Sequence, residues 1–202
     1  MNKNIIGIVG FIGSGKGTVG LHLTQQYNFK AVSFASSLKD AVSHIFNWPR
    51  DLLEGDTSES RIWRELPDPW WSEKFGKVIT PRWVFQNIGT DVFRNHFHTD
   101  IWVWSLENKI KNSQAPVVIT DVRFDNEIQM IKQLNGKILW VKRGEDPEWL
   151  QFAIKNVSIM PFLYPSIHPS EYSWLSRSPD HIIYNNGTLV DLYKQIDDFM
   201  KD

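Results

Sequence analysis

The chain has 202 residues, a formal net charge of −1, 42% hydrophobic and 22% charged residues, and no cysteine. That length fits one domain with a full core. The near-neutral balance excludes a general basic field for nucleic acid or anionic membrane, and the missing thiols exclude disulfides and thiolate metal sites. The first apolar run is about five residues, against the ~20 of a bilayer span, so neither a leader nor an anchor is expected and the cytoplasm is the expected location.

The first element expected is a buried strand over 5–10, rich in isoleucine and valine. It runs into G-F-I-G-S-G-K-G-T over 10–18, followed by a helical pattern over 16–27. A polyphosphate needs several backbone amides at close range, and glycines let the main chain turn back that tightly. Gly10, Gly13, Ser14, Gly15, Lys16, Gly17 and Thr18 therefore form a candidate phosphate-binding loop. The following helix aims its positive end into it, and Lys16 is the point charge for the β- and γ-phosphates. Gly17 stands where such loops usually carry the Ser or Thr that meets Mg²⁺.

A short strand over 31–34 and a helix capped by Ser36 or Ser37 come next, with Leu38, Ala41, Val42, Ile45 and Phe46 on one face. From 47 to 80 the pattern dissolves among prolines, glycines and tryptophans; seven of the ten tryptophans lie between Trp48 and Trp104. A loop of that length is functional or disordered, and its aromatic content argues for function. Pro81 opens a helix through Val84, Phe85 and Ile88, which Gly89 either breaks or opens to a ligand. A helix over 100–112, a strand over 117–121, a helix over 125–135 and a strand over 137–142 follow. An irregular stretch over 144–180 has the features of a lid, a last strand covers 182–184, and an amphipathic helix closes the chain over 189–200. Alternation of this kind gives an α/β fold with a mostly parallel five-stranded sheet flanked by helices.

Three further groups carry chemistry. Asp121 and Arg123 end a central strand, at the sheet edge where α/β proteins bind ligands, and suit magnesium-bound water and a transferring phosphate. An Asp–Arg pair capping the next helix is the competing reading. Arg82 and Gln86 share a helix face, with Thr90, Asp91, Arg94 and Trp102 nearby, and suit a nucleotide phosphate and base edge; a solvated face is the alternative. Arg61 and Arg64 flank Trp63 as a phosphate clamp beside a ring, while Lys39 opens the second helix and Arg143 ends the fourth strand. The tryptophans fit a core or a subunit contact equally well. His168 and Glu171, three apart, do not by themselves make a metal site and are read as structural.

Taken together, the chain resembles the deoxynucleoside monophosphate kinases of tailed phages. The resemblance rests on G-S-G-K-G-T, L-K-D over 38–40, R-x-x-x-Q-x-x-G-T-D over 82–91, Trp102, D-V-R-F-D-N-E over 121–127, V-K-R-G over 141–144, H-P-S-E over 168–171 and N-N-G-T-L over 185–189. It implies a three-layer P-loop kinase fold in one domain over 1–202, with a helical acceptor-binding insertion over about 36–105 and a short lid over about 144–180. It implies transfer of the ATP γ-phosphate to a deoxynucleoside monophosphate for phage DNA synthesis in the host cytoplasm. ATP is assigned to Gly10, Gly13, Ser14, Gly15, Lys16, Gly17, Thr18 and Arg143; catalysis to Lys16, Asp121 and Arg123; the acceptor to Lys39, Arg61, Arg64, Arg82, Gln86, Thr90, Asp91 and Trp102. Mg²⁺ is expected through phosphates and water, with Asp121 its candidate side chain. A homodimer with small-molecule substrates, and no nucleic acid or membrane partner, completes the implication. The segment before R-x-x-x-Q is shorter than in that family, which leaves base selectivity open. A different small-molecule kinase of this loop class, such as a phosphomevalonate kinase, and a non-enzymatic nucleotide- or single-strand-binding accessory protein are the rival readings.

Overall fold

The computed structural model describes residues 5–113 and 115–201. Five strands form one parallel sheet: β1 (Ile5–Val9), β2 (Lys30–Val32), β3 (Val117–Ile119), β4 (Lys137–Lys142) and β5 (His181–Tyr184), in the order β2-β3-β1-β4-β5. Register pairs Ile6 with Val118 across one side of β1 and Ile8 with Leu139 across the other. Because β1 and β3 are parallel neighbours, the loops leaving both emerge at the same sheet edge.

The chain divides into two compact units, one of the residues up to Ser33 with those from Lys109 onward, the other Phe34–Asn108. In the sheet unit, α1 (Lys16–Tyr27) and the C-terminal helix Leu189–Lys201 cover one face. Val19, Leu23, Leu192, Ile196 and Phe199 close there over Ile6, Ile8, Val118, Leu139, Val141 and Ile183. Each such fully buried aliphatic side chain contributes about 1.5–3 kcal/mol relative to exposure. The alternate strand residues face the other side, where the helix Asp125–Gln133 packs. Gly7 permits that packing: a Cβ there would lie 2.5 Å from Ile131 Cδ1.

The second unit is helical. It contains α2 (Ser36–Phe46), α3 (Ser58–Trp63), α4 (Pro69–Phe75), α5 (Pro81–Gln86), a π-helical continuation over Asn87–Phe97, and most of α6 (Ile101–Lys111). Its core joins Leu38, Val42, Phe46, Trp48, Leu53, Ile79, Val84 and Trp102, with Trp63, Trp71 and Trp83 packed against them. Most of the tryptophan excess is therefore core.

Several expectations change. The 47–80 stretch holds two short helices, because Thr57 and Ser60 cap α3 reciprocally and Asp68 caps α4 ahead of Pro69 at its first position. Neither Ser36 nor Ser37 caps α2; both lie inside its first turn, and the Ser37 and Ser105 hydroxyls sit 2.7 Å apart. Gly89 neither breaks the helix nor opens to a ligand: it is buried, and a Cβ there would lie 2.6 Å from Leu38 Cδ2. The 144–180 segment, expected to be irregular, holds α8 (Leu150–Lys155), α9 (Met160–Leu163) and three 3₁₀ turns, with Leu150, Ala153, Met160, Tyr172, Trp174 and Leu175 buried. Here α7 denotes Asp125–Gln133, and α10 is Leu189–Lys201.

Candidate functional site

Sheet topology brings the turn after β1 to the same edge as the segment after β3. In that turn Gly10, Gly13 and Gly15 take φ values of 145°, 79° and 102°, a region that favours glycine. Two of them also need the missing side chain. A Cβ on Gly10 would meet Val141 O at 2.4 Å, and one on Gly15 would meet Asn185 Nδ2 at 2.4 Å. At Gly17 a Cβ would meet nothing within 4 Å.

The loop is shaped for an anion. Helix α1 begins at Lys16 with Gly15 as its cap residue, no side-chain capping bond and no acidic residue in its first turn. Its first amides and positive dipole end are thus left to a ligand. Ser14 is buried at 3% exposure, and its Oγ has no hydrogen-bond partner. A buried orphan hydroxyl costs free energy unless something else, here a phosphate oxygen, completes it. Lys16 Nζ donates to Gly10 O at 2.7 Å and Phe11 O at 2.8 Å, so the ammonium is folded over the loop. Burial, then the Arg123 charge, push it down from the ordinary lysine value to about 8, with a partial opposing pull from Glu171.

Opposite the loop, Arg123 and Lys16 line one cleft with Gly10, Val122, Ser170 and Glu171. Arg123 Nη1 lies 3.4 Å from Ser170 Oγ and 3.6 Å from Glu171 Oε1. Asp121 stands half-buried at the end of the β3 segment, where Ser33 Oγ donates to its Oδ2 at 2.7 Å. The capping of α7 falls to the buried Glu127, which accepts from the Arg123 and Phe124 amides at 2.7 and 3.1 Å. Arg123's side chain is therefore not tied up as a helix cap. Arg143 is exposed beyond β4 and is not part of the cleft lining. Among the described residues no group of three or more His, Cys, Asp or Glu is arranged to hold a metal.

Asn185 is a loop-shaping residue that pattern reasoning left without a role. Its Nδ2 donates to Ser14 O at 2.9 Å, and its amide donates to Lys142 O at 2.7 Å, tying the loop to β4. The N-N-G-T-L motif was the signal available for it.

The helical unit carries the second cationic group. Arg64 is half-buried, its guanidinium pressed against Gly55, where a Cβ would come within 2.0 Å of Nη2. Its Nε is buried without a partner. Burial, then the charges of Arg82 and Arg61 against an opposing Glu65, hold the Arg64 guanidinium below the usual arginine range. The Arg82 amide donates to Arg64 O at 3.0 Å, and Arg82 Nε pairs with Glu65 at 2.8 Å. Arg61 donates to Gly55 O and Asp56 O, both at 3.0 Å, so it braces the loop that Arg64 packs on. Lys39, near the start of α2, is largely buried. It pairs with Glu54 at 2.6 Å with 12% of its side chain exposed, and Arg50 bridges Glu54 to Asp40. Burial works to raise Glu54, but its bonds to Lys39 and Arg50 outweigh it and hold the carboxyl below the usual range.

Gln86, Thr90 and Asp91 are exposed along α5 and its π-helical continuation, the last beside Asn87 Nδ2 at 3.5 Å. Trp102 belongs to the core: its Nε1 donates to Gly89 O at 2.9 Å and its ring packs on Phe93. A buried indole with its one donor already used is a structural residue rather than a substrate contact.

Residues 72–154 match the family model for deoxynucleotide monophosphate kinase. A protein of Acanthamoeba polyphaga mimivirus described as a deoxynucleotide monophosphate kinase is 32% identical over 205 residues, spanning 95% of this chain and 93% of its own length. The deoxynucleoside-5′-monophosphate kinase of Escherichia phage T5 is 41% identical over 116 residues, 55% of this chain and 41% of that protein. Among solved structures, a shikimate kinase from Aquifex aeolicus aligns with a TM-score of 0.49 and 13% identity over 98% of this chain and 96% of its own.

Proposed function

Because this chain belongs to the deoxynucleotide monophosphate kinase family and is a nucleotide phosphotransferase, we propose a division of labour in which the sheet unit binds ATP and the helical unit binds the acceptor monophosphate. The loop over 10–18 takes the triphosphate: its amides and the Ser14 hydroxyl meet phosphate oxygens, and Lys16 leaves its carbonyl partners to meet the β- and γ-phosphates. Arg123, beside Lys16 in the same cleft, neutralises charge on the transferring phosphoryl group.

The acceptor's 5′-phosphate goes to the cluster of Arg61, Arg64 and Arg82, with Lys39 behind it through Glu54. The single observation that carries this is Arg64: a half-buried guanidinium with an orphaned Nε, between two further arginines. Half-burying the Arg64 guanidinium beside two like charges is costly until an anion arrives, and a bidentate phosphate matches a guanidinium fork. Gln86, Thr90 and Asp91 line an exposed helix face suited to base and sugar.

An ionised acceptor phosphate needs no general base, so in-line positioning and charge neutralisation supply most of the rate. Mg²⁺, when bound through the phosphates and water, would neutralise part of their charge, and Asp121 is the carboxylate fitted to orient that water. A homodimer, residence in a host cytoplasm and a role in phage DNA synthesis belong to the same reading. ADP release measured over deoxy- and ribonucleoside monophosphates and phosphomevalonate tests it: turnover with a deoxynucleoside monophosphate supports it, and turnover with phosphomevalonate alone overturns it. Among the tryptophans, Trp48 and Trp102 are buried and Trp63, Trp71 and Trp83 partly so, which supports a core role for most of them, while Trp70 and Trp104 are exposed.

A further inference from the structure

The H-P-S-E stretch over 168–171 folds as one 3₁₀ turn, Pro169–Glu171, whose side chains enter the phosphate cleft. His168 caps it: the Ser170 amide donates to His168 Nδ1 at 3.2 Å, and Ser170 Oγ lies 2.8 Å from the same nitrogen. With Nδ1 accepting, the Ser170 hydroxyl spends its proton on His168 and keeps its lone pairs for Arg123 Nη1, 3.4 Å away. Glu171 is anchored from behind. Trp174 Nε1 donates to Glu171 O at 2.9 Å, and the Trp174 ring, 3% exposed, packs on Trp140 of β4 and on Phe11 of the loop itself. The turn is thus fastened to the sheet and to the loop, with its carboxylate facing two cations.

Those cations need it. Arg123 has nearly half of its side chain exposed and stands beside a lysine of the same charge, so repulsion and side-chain entropy both favour its swinging into solvent. We propose that Glu171, assisted by Ser170, is a positioning residue of the phosphate site: the Pro169–Glu171 turn holds the Arg123 guanidinium on the cleft wall and supplies the counter-charge that lets Lys16 and Arg123 share one small cleft. This deepens the reading of the loop over 10–18 as the ATP site and rests on it. His168 is then a brace for Ser170 rather than a metal ligand.

The experiment pairs ATP binding, followed by intrinsic tryptophan fluorescence from pH 6 to 9.5, with turnover on a deoxynucleoside monophosphate, for the wild type, Glu171→Gln and Glu171→Asp. The charged groups facing Lys16 are Arg123, from the segment after β3, and Glu171, from the turn. Removing the Glu171 charge leaves only the repulsive one, so the pH at which ATP binding weakens moves down in Glu171→Gln, while affinity at pH 6 stays within about threefold of wild type. Turnover at pH 7 falls about tenfold without a matching change in KM for ATP, because Arg123 is lost from the transition state more than from the ground state. Glu171→Asp restores most of both, and the thermal midpoint of each variant confirms folding. Unchanged turnover with an unchanged pH profile would overturn the proposal. So would tighter ATP binding at every pH, which would make the carboxylate a plug, or a loss that follows thermal stability and is not rescued by aspartate. A wild-type chain that bound no ATP would fell the loop reading along with this one; normal wild-type binding with an unaltered Glu171→Gln profile would fell this one alone.

Discussion

The two proposed anion sites are built by opposite means. The loop over 10–18 presents main-chain amides: four of its nine residues are glycines, three of them at positive φ, with one buried hydroxyl and one lysine among the rest. The arginine cluster of the helical unit is nearly all side chain, carried by short helices and the loop between them: Arg82 pairs with Glu65, Arg61 braces backbone carbonyls, and Arg64 Nε has no partner. A backbone cradle is fixed by the fold before any ligand arrives, so a single change to its geometry is costly. A side-chain cluster has several exits for its charge, so losses there are graded.

The sharpest break in that comparison is Lys16→Met. It removes the one long cation of the loop and should lower turnover by roughly 10²–10³-fold with thermal stability unchanged, as read by ADP release and a melting curve. Next comes Gly10→Ala. Its methyl would press on Val141 O, a backbone atom that cannot move aside, at a φ of 145°, so ATP binding should be abolished and the thermal midpoint should fall. Arg64→Ala acts at the other site and should raise KM for the deoxynucleoside monophosphate by about 30-fold or more while KM for ATP stays within about threefold.

A smaller effect comes from pH. Lys16 must be protonated to hold a phosphate, and its value in the ligand-free chain is lowered to about 8. ATP affinity should therefore be full below that value and decline as pH rises through it, a dependence that Lys16→Met abolishes and Arg64→Ala keeps. The smallest is Trp102→Phe. Losing the bond to Gly89 O leaves a buried carbonyl unpaired and should cost about 1–3 kcal/mol of stability in a denaturant titration, with both KM values unchanged. A raised acceptor KM would instead return Trp102 to the substrate site.

What the sequence disclosed follows the same division. Continuous apolar strands, the glycine–lysine loop and the amphipathic last helix are local signals, and β1, α1, β4 and α10 lie within a few residues of where the pattern puts them. The short helices α3 and α4 were hidden by the prolines and glycines around them, although Asp68-Pro69 and the Thr57–Ser60 box were usable start signals. The π-helical stretch after Gln86 has no sequence signature; the close approach of Leu38 to Gly89 is visible only once α2 is packed. In the candidate site, the shared sheet edge of Lys16 and Arg123 was legible, because parallel neighbouring strands send both loops to it. Glu171 and Asn185 were not, since contacts across 48 residues to Arg123 and 171 residues to Ser14 depend on tertiary packing. The burial of Trp102 was not legible, because an aromatic near polar residues reads the same whether it stacks on a ligand or fills a core.

The most direct test of two separate anion sites is equilibrium binding of ATP and of a deoxynucleoside monophosphate, each alone, to Lys16→Met and Arg64→Ala. The account predicts a double dissociation: Lys16→Met loses ATP and keeps the monophosphate, while Arg64→Ala loses the monophosphate and keeps ATP. Loss of both ligands by either folded variant, or retention of the monophosphate by Arg64→Ala, would contradict it.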